Sequence, residues 1–167
     1  NVTEIYIIFN GVFMSFTIKD MTIRDEYNRQ RIFKGVNICF KGRENQHEIY
    51  EFFDKFENDK SFRDEQYDML TSNGVNLIRL GFTWAMLEPK KNQFDEKIIS
   101  YLKLFVDECQ NRNIYIVLDL HQDLFYSNGK YGDGAPKWIT RDYKEKQPLA
   151  IWAEGYFYMQ DVQRAFN

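Results

Sequence analysis

The sequence reads as an α/β fold with a parallel sheet, and three observations carry that reading. Three segments rich in branched apolar residues begin near residues 32, 75 and 114, about forty residues apart. Helical apolar spacing lies between the last two, and such alternation favours parallel strands joined by crossover helices. The polar residues of interest fall at or just past the strands: Lys41, then Arg79 with Trp84, then Asp119, His121 and Asp123. Parallel α/β sheets place their active sites at the C-terminal strand ends. A doubly wound dinucleotide fold is disfavoured, because the first turn, Phe40-Lys41-Gly42-Arg43-Glu44, has no G-x-G-x-x-G pattern. A closed (β/α)₈ barrel takes ~200 residues or more. Three βα units in 167 residues read as the N-terminal part of such a barrel, incomplete in this chain.

The elements follow in order. Ile5 to Phe16 is an apolar stretch broken by Asn10-Gly11, consistent with a leading strand, a hairpin about Asn10-Gly11 or the remnant of a signal peptide. Ile32 to Phe40 is the first strand of the sheet. Arg43 to Lys60 reads as a polar loop with short helical pieces, and His47 within it as solvated surface. Ser61-Phe62-Arg63-Asp64 has the form of a capping box with Asp in place of Glu, opening a helix that runs to Ser72 and stops at Asn73-Gly74. Val75 to Leu80 is the second strand. Asp95 caps a helix that carries Ile98, Ile99, Leu102, Phe105, Val106 and Cys109 at helical spacing. Ile114 to Leu118 is the third strand, continuously apolar, as suits a strand covered on both faces.

Composition narrows the function. Lys and Arg number 22 against 25 Asp and Glu, for a net charge of −3, which gives no footprint for nucleic acid. No run of ~18 apolar residues occurs. Aromatics reach 17%, enough either for a ring-rich core or for flat surfaces that meet sugars and lipid tails. The two cysteines, Cys39 and Cys109, read as buried thiols rather than a disulfide. Two His and two Cys make no zinc pattern, so no metal or cofactor is expected.

The densest polar cluster is Asp119-Leu120-His121-Gln122-Asp123. Alternation along a strand lets Asp119, His121 and Asp123 point together, where they can hydrogen-bond sugar hydroxyls and set the imidazole tautomer; a His–Asp pair that only supports a loop is the plain alternative. Arg79 lies in an apolar strand, where a buried guanidinium needs a partner such as a bidentate carboxylate. Gly129 to Pro136 lacks the Lys-Ser/Thr ending of a phosphate cradle and reads instead as a pocket rim, with Trp138 as a stacking surface.

These segments resemble a known family. Gly35-Val36-Asn37 and Val75-Asn76-Leu77-Ile78-Arg79-Leu80-Gly81, with Trp84 and Glu88-Pro89, are similar to the front of a glycoside hydrolase family 5 barrel. Asp119-Leu120-His121-Gln122-Asp123, Gly132-Asp133-Gly134-Ala135-Pro136 with Trp138, and Tyr156-Phe157 followed by Val162-Gln163-Arg164-Ala165-Phe166 look like endoglycoceramidases within it. The resemblance covers residues 22–167, a partial catalytic barrel, and leaves 1–21 as a segment outside the pattern.

It implies retaining hydrolysis of the glycan–ceramide bond of glycosphingolipids by two glutamates. In the family the acid/base sits in an Asn-Glu-Pro motif after the fourth strand and the nucleophile after the seventh. These 167 residues hold no Asn-Glu-Pro, so no catalytic residue is assigned here. The resemblance places both glutamates beyond Asn167, and the polypeptide alone is expected to be inactive. It implies substrate contacts from Lys41, His121, Asp123 and Trp152, with Arg79 and Asp119 as active-site support. It further implies a glycosphingolipid or related glycoside as the partner, contact with a membrane surface, no obligate protein partner, and a secreted or lysosomal and endomembrane location. The alternatives are a glucosylceramide or steryl-glucoside hydrolase, a cellulase-like hydrolase of the same family, and a non-catalytic protein that binds carbohydrate or lipid.

Overall fold

The chain opens with a small antiparallel sheet. Strands β1 (Thr3–Phe9) and β2 (Val12–Lys19) pair in antiparallel register from Thr3 opposite Ile18 to Phe9 opposite Val12; Asn10 and Gly11, where the sequence suggests a turn, lie outside the described residues. Strand β3 (Thr22–Arg24) returns along β2 after Asp20 and Met21, both at positive φ. These details come from a computed structural model, which describes residues 3–9, 12–41, 47–122 and 134–139, with backbone alone for 3–9, 12–15 and 47.

The second sheet is parallel, in the order β4 (Gly35–Phe40), β5 (Leu77–Phe82), β6 (Tyr115–Leu120). The α/β class and the parallel sheet of the leading barrel units are as the sequence implied. The strand limits are not: β5 and β6 begin later and run two residues further than the apolar runs. Phe82 and Leu120 extend the ladder, and the backbone N–H of His121 still donates to the Phe82 carbonyl at 2.8 Å. Strand pairing continues through polar Asp119, which an apolar-run criterion cannot see.

Between β4 and β5 stand α1 (His47–Asn58) and α2 (Lys60–Ser72). The polar loop expected over Arg43 to Lys60 is therefore corrected: twelve of its residues form α1, whose first residue is His47. Phe53 and Phe56 drive this helix, because both are completely buried against the sheet and α4. The cap of α2 is also corrected. Asp59, not Ser61, lies before the first turn in extended backbone and accepts the N–H of Phe62 at 2.9 Å. Asp64 is committed elsewhere, to Lys60 and Arg112. Gly74, at φ +72°, closes α2 as Asn73-Gly74 suggested.

After β5 come the short α3 (Trp84–Leu87), capped by Thr83, and α4 (Glu96–Asn111), capped by Asp95. Asp95 accepts from the N–H groups of Lys97 and Ile98, each at 3.1 Å. Ile98, Tyr101, Leu102, Phe105 and Cys109 turn inward, whereas Ile99 is exposed.

One face of the parallel sheet meets these helices. Ile78 and Leu80 are fully buried there among Phe53, Phe56, Tyr67, Tyr101 and Phe105. Phe53 and Tyr101 stack at 5.0 Å and 7°, and Phe56 and Phe105 at 5.6 Å and 22°. Among the described residues, much of the aromatic content is therefore core. Tyr67 donates to the Phe105 carbonyl at 3.2 Å, and burial pushes its phenol far up; burial also pushes the Cys109 thiol up to about 11. Cys39 and Cys109 are not joined in a disulfide; Cys109 is buried and Cys39 only partly so.

The antiparallel sheet meets the N-terminal ends of the parallel strands through aromatic edges. Phe16 lies 5.9 Å from Phe33 and 5.8 Å from Tyr115, and Phe33 lies 5.4 Å from Tyr115. Nearby, Asp25 is buried and fully bonded. Its Oδ1 accepts the N–H groups of Tyr27 and Arg29, and its Oδ2 accepts from the guanidinium groups of Arg29 and Arg31 at 2.8 and 2.9 Å. Burial pushes the Asp25 carboxyl up, but the bonds from Arg29 and Tyr27 and the charge of Arg29 outweigh it and hold the group below its ordinary value. A lowered carboxyl stabilises the fold fully above the unfolded value of ~3.9, and loses that effect as pH falls through the folded value. Asp25→Asn should therefore lower the urea midpoint at pH 7, and the gap to the parent should narrow below about pH 4. A gap that stays constant with pH would contradict the role.

Candidate functional site

The site grows from the strand face that the helices leave uncovered. Parallel register places Asn37, Arg79 and Val117 in one row across the three strands, and Cys39, Gly81 and Asp119 in the next row toward the C-terminal ends. His121 follows two residues after Asp119. Lys41 follows β4 directly at the same end of the sheet and is exposed.

Arg79 is held by two acceptors. Its Nη2 meets Asp119 Oδ2 at 2.6 Å and its Nη1 donates to Asn37 Oδ1 at 2.7 Å. The guanidinium is thus splayed between two strands rather than paired bidentately with one carboxylate. Its side chain is 41% exposed, so the expectation of a buried Arg is corrected: it lies on the open face of the sheet. Asp119 Oδ2 also takes His121 Nδ1 at 3.0 Å, and Arg79 Nη2 lies 3.5 Å from that nitrogen. With a carboxylate as acceptor, Nδ1 carries the proton; in the neutral ring this makes Nε2 the acceptor nitrogen. One cation and one imidazole thus share a single carboxylate oxygen, and Asn37 keeps the cation from swinging away.

Of the residues named from sequence, the structure brings Arg79, Asp119 and His121 together. Lys41 lies on the same end of the sheet. Asp123 and Trp152 lie outside the described residues. So does Asn167, the position beyond which the resemblance sets the two catalytic glutamates. Asn37 was missed as a site residue. The signal that would have found it is register: once β4 and β5 are aligned in parallel, Asn37 stands opposite Arg79. Among the described residues no group of three or more His, Cys, Asp and Glu could hold a metal ion, and no helix is long and apolar enough to cross a membrane.

A second cluster builds the adjoining rim. Trp84 Nε1 donates to Glu88 Oε2 at 2.7 Å, the Asn92 N–H donates to Glu88 Oε1 at 2.7 Å, and Trp138 Nε1 donates to the Glu88 carbonyl at 2.9 Å. The two indoles meet edge to face at 5.4 Å. The Ala85 N–H reaches the Gly134 carbonyl at 2.8 Å. Glu88, 8% exposed, therefore clasps residues 134–139 to the loop after β5. Trp138 acts here as part of that clasp. Glu88→Ala strands the Trp84 and Asn92 donors and should cost about 1–3 kcal/mol. A red shift of tryptophan emission should accompany the lower melting temperature; unchanged emission would show the clasp intact without the carboxylate.

Comparisons with known proteins bear on the family and the fold. The chain is 31% identical over 128 residues to an endoglycoceramidase of Hydra vulgaris, covering 77% of this chain and 24% of that protein. Sterylglucosidase 1 of Cryptococcus neoformans superposes with a TM-score of 0.56 at 26% identity, over 71% of this chain and 18% of that one. Endo-glycoceramidase II from Rhodococcus sp. superposes with a TM-score of 0.57 at 24% identity, over 86% and 31% of the two chains, a likeness of fold. The chain spans about a quarter of the length of the curated relatives it matches. Residues 33–157 match the Cellulase family pattern (glycosyl hydrolase family 5), a stretch that contains all three parallel strands and the Arg79–Asp119–His121 cluster, and the chain belongs to that family.

Proposed function

We propose that this chain supplies the leading βα units of a barrel that hydrolyses the glycan–ceramide bond of glycosphingolipids with retention of anomeric configuration. The observation that carries the reading is the Asn37–Arg79–Asp119–His121 cluster, which runs from the middle of β4 and β5 to the C-terminal end of β6, the end where barrel enzymes hold substrate. The similarity to an endoglycoceramidase supports the choice of bond. In this reading residues 22–167 are the partial catalytic barrel and residues 1–21 a leading segment.

The chemistry divides between two regions. Retaining hydrolysis needs an acid/base glutamate and a nucleophilic glutamate about 5 Å apart. Neither is assigned within these 167 residues, so the cluster binds and positions. Lys41, His121 and Asp123 contact the sugar next to ceramide. Trp152 stacks against a ring. Arg79, fixed by Asn37 and Asp119, presents a charge that supports a catalytic carboxylate contributed from beyond Asn167. The protein works in a secreted or lumenal compartment, at a membrane surface where its lipid substrate resides.

A second reading has its own support. The similarity to sterylglucosidase 1 favours a hydrolase that removes a single glucose from a lipid. Assay of the full-length protein on fluorescent lactosylceramide, glucosylceramide and steryl glucoside separates the two. Release of intact lactose with ceramide is expected; turnover of the monoglucosides alone would move the assignment, and turnover of none would remove the hydrolase reading. The 1–167 polypeptide should show no turnover of any of them.

Asp123→Ala in the full-length protein tests the substrate contact. A hydrogen bond with a charged partner contributes roughly 1.5–3 kcal/mol, so kcat/KM should fall on the order of tenfold to a hundredfold with little change in melting temperature. Unchanged kcat/KM with a large drop in melting temperature would make Asp123 a loop support.

A further inference from the structure

Gly81 stands in the middle of the row formed by Cys39, Gly81 and Asp119. A Cβ built there would lie 2.6 Å from Cys39 Sγ, 3.2 Å from Cys39 Cβ and 3.3 Å from Asp119 Oδ2. Its backbone does not demand glycine, since among the described glycines only Gly74 and Gly134 have positive φ. Space demands it: the side chains of both neighbouring strands lean into the place a methyl would fill. One of the intruding atoms, Asp119 Oδ2, is the same oxygen that meets Arg79 Nη2 and His121 Nδ1.

We infer that Gly81 is a positioning residue of the site: its missing side chain lets the Asp119 carboxylate lie across β5, where one oxygen reaches Arg79 and His121 together. The inference rests on the reading of this cluster as support for glycoside hydrolysis. A methyl at position 81 acts on two neighbours. It drives the Cys39 sulfur aside, which strains packing. It also crowds Asp119 Oδ2 by a few tenths of an ångström, away from a 2.6 Å contact with Arg79. The first effect is larger and structural; the second is smaller and falls on the functional oxygen. Removing the sulfur lifts the 2.6 Å clash and leaves the contacts with the Cβ of residue 39 and with Asp119 Oδ2, at 3.2 and 3.3 Å.

The experiment uses the full-length protein as Gly81→Ala, Cys39→Ala and the double variant. The measurements are melting temperature, kcat and KM on fluorescent lactosylceramide, and the ¹⁵N resonance of His121 Nδ1. In the double variant the melting temperature should return most of the way to that of Cys39→Ala. Its kcat should stay about tenfold low with KM little changed, because the displacement is well short of the ~1 Å that costs about 100-fold. The Nδ1 resonance should move as its bond to Asp119 weakens. Recovery of both kcat and the resonance in the double variant would overturn the inference and leave Gly81 as a seat for Cys39. If Gly81→Ala alone fails to fold, the double variant, freed of the 2.6 Å clash, still decides the matter. If the parent protein turns over no glycolipid, the hydrolase reading fails, while the resonance still reports whether Gly81 places Asp119.

Discussion

The parallel register of β4, β5 and β6 is the constraint on which the rest depends. Alternate residues of a strand face opposite ways, so one register decides at once what is core and what is site. With Asn37, Arg79 and Val117 in a row, Ile38, Leu80 and Leu118 share the other face. The helices cover that second face over β4 and β5. A slip of one residue would put Arg79 among Phe53, Phe56 and Phe105, where an unpaired guanidinium is costly.

The same register explains how one carboxylate serves two neighbours. Asp119 sits on β6 beside Gly81 on β5, one row beyond Arg79 and one strand-step before His121. The diagonal to Arg79 and the step to His121 are both short, and the bare backbone of Gly81 gives the carboxylate room between them. Asn37 completes the arrangement from β4. The site is therefore a property of three strands together, and no single loop contains it.

Two features hold the ends of this sheet. At the N-terminal ends, Phe16, Phe33 and Tyr115 form an edge-to-face trio that ties the antiparallel sheet to β6 and the lead into β4. At the opposite end, Glu88 clasps the loop after β5 to residues 134–139 through two indole N–H groups. Along β6 the helix face is less covered: Leu118 and Leu120 are each 58% exposed, in contrast to fully buried Ile78 and Leu80 on β5. The aromatic core and the Arg79–Asp119–His121 cluster thus lie on opposite faces of the parallel sheet.

What the sequence determined by itself was set by local rules. The α/β class followed from apolar runs at regular spacing, the start of α4 from Asp95, and the end of α2 from Asn73-Gly74, because caps and turn glycines act within a few residues of where they stand. Arg79, Asp119 and His121 were legible as candidates since charge in or beside an apolar strand needs a partner. Other features were decided only by the tertiary structure. Helix α1 was hidden, because its polar residues dominate the local composition while Phe53 and Phe56 acquire meaning only against a sheet. The cap of α2 moved to Asp59 because both Ser61 and Asp64 follow plausible local patterns, and Asp64 is drawn away by Arg112 forty-eight residues later. Asn37 and Gly81 were illegible for the same reason. Both stand in the segments that carry the family resemblance, but their roles depend on which residues of neighbouring strands they meet, and that is settled only when the crossovers bring the strands side by side.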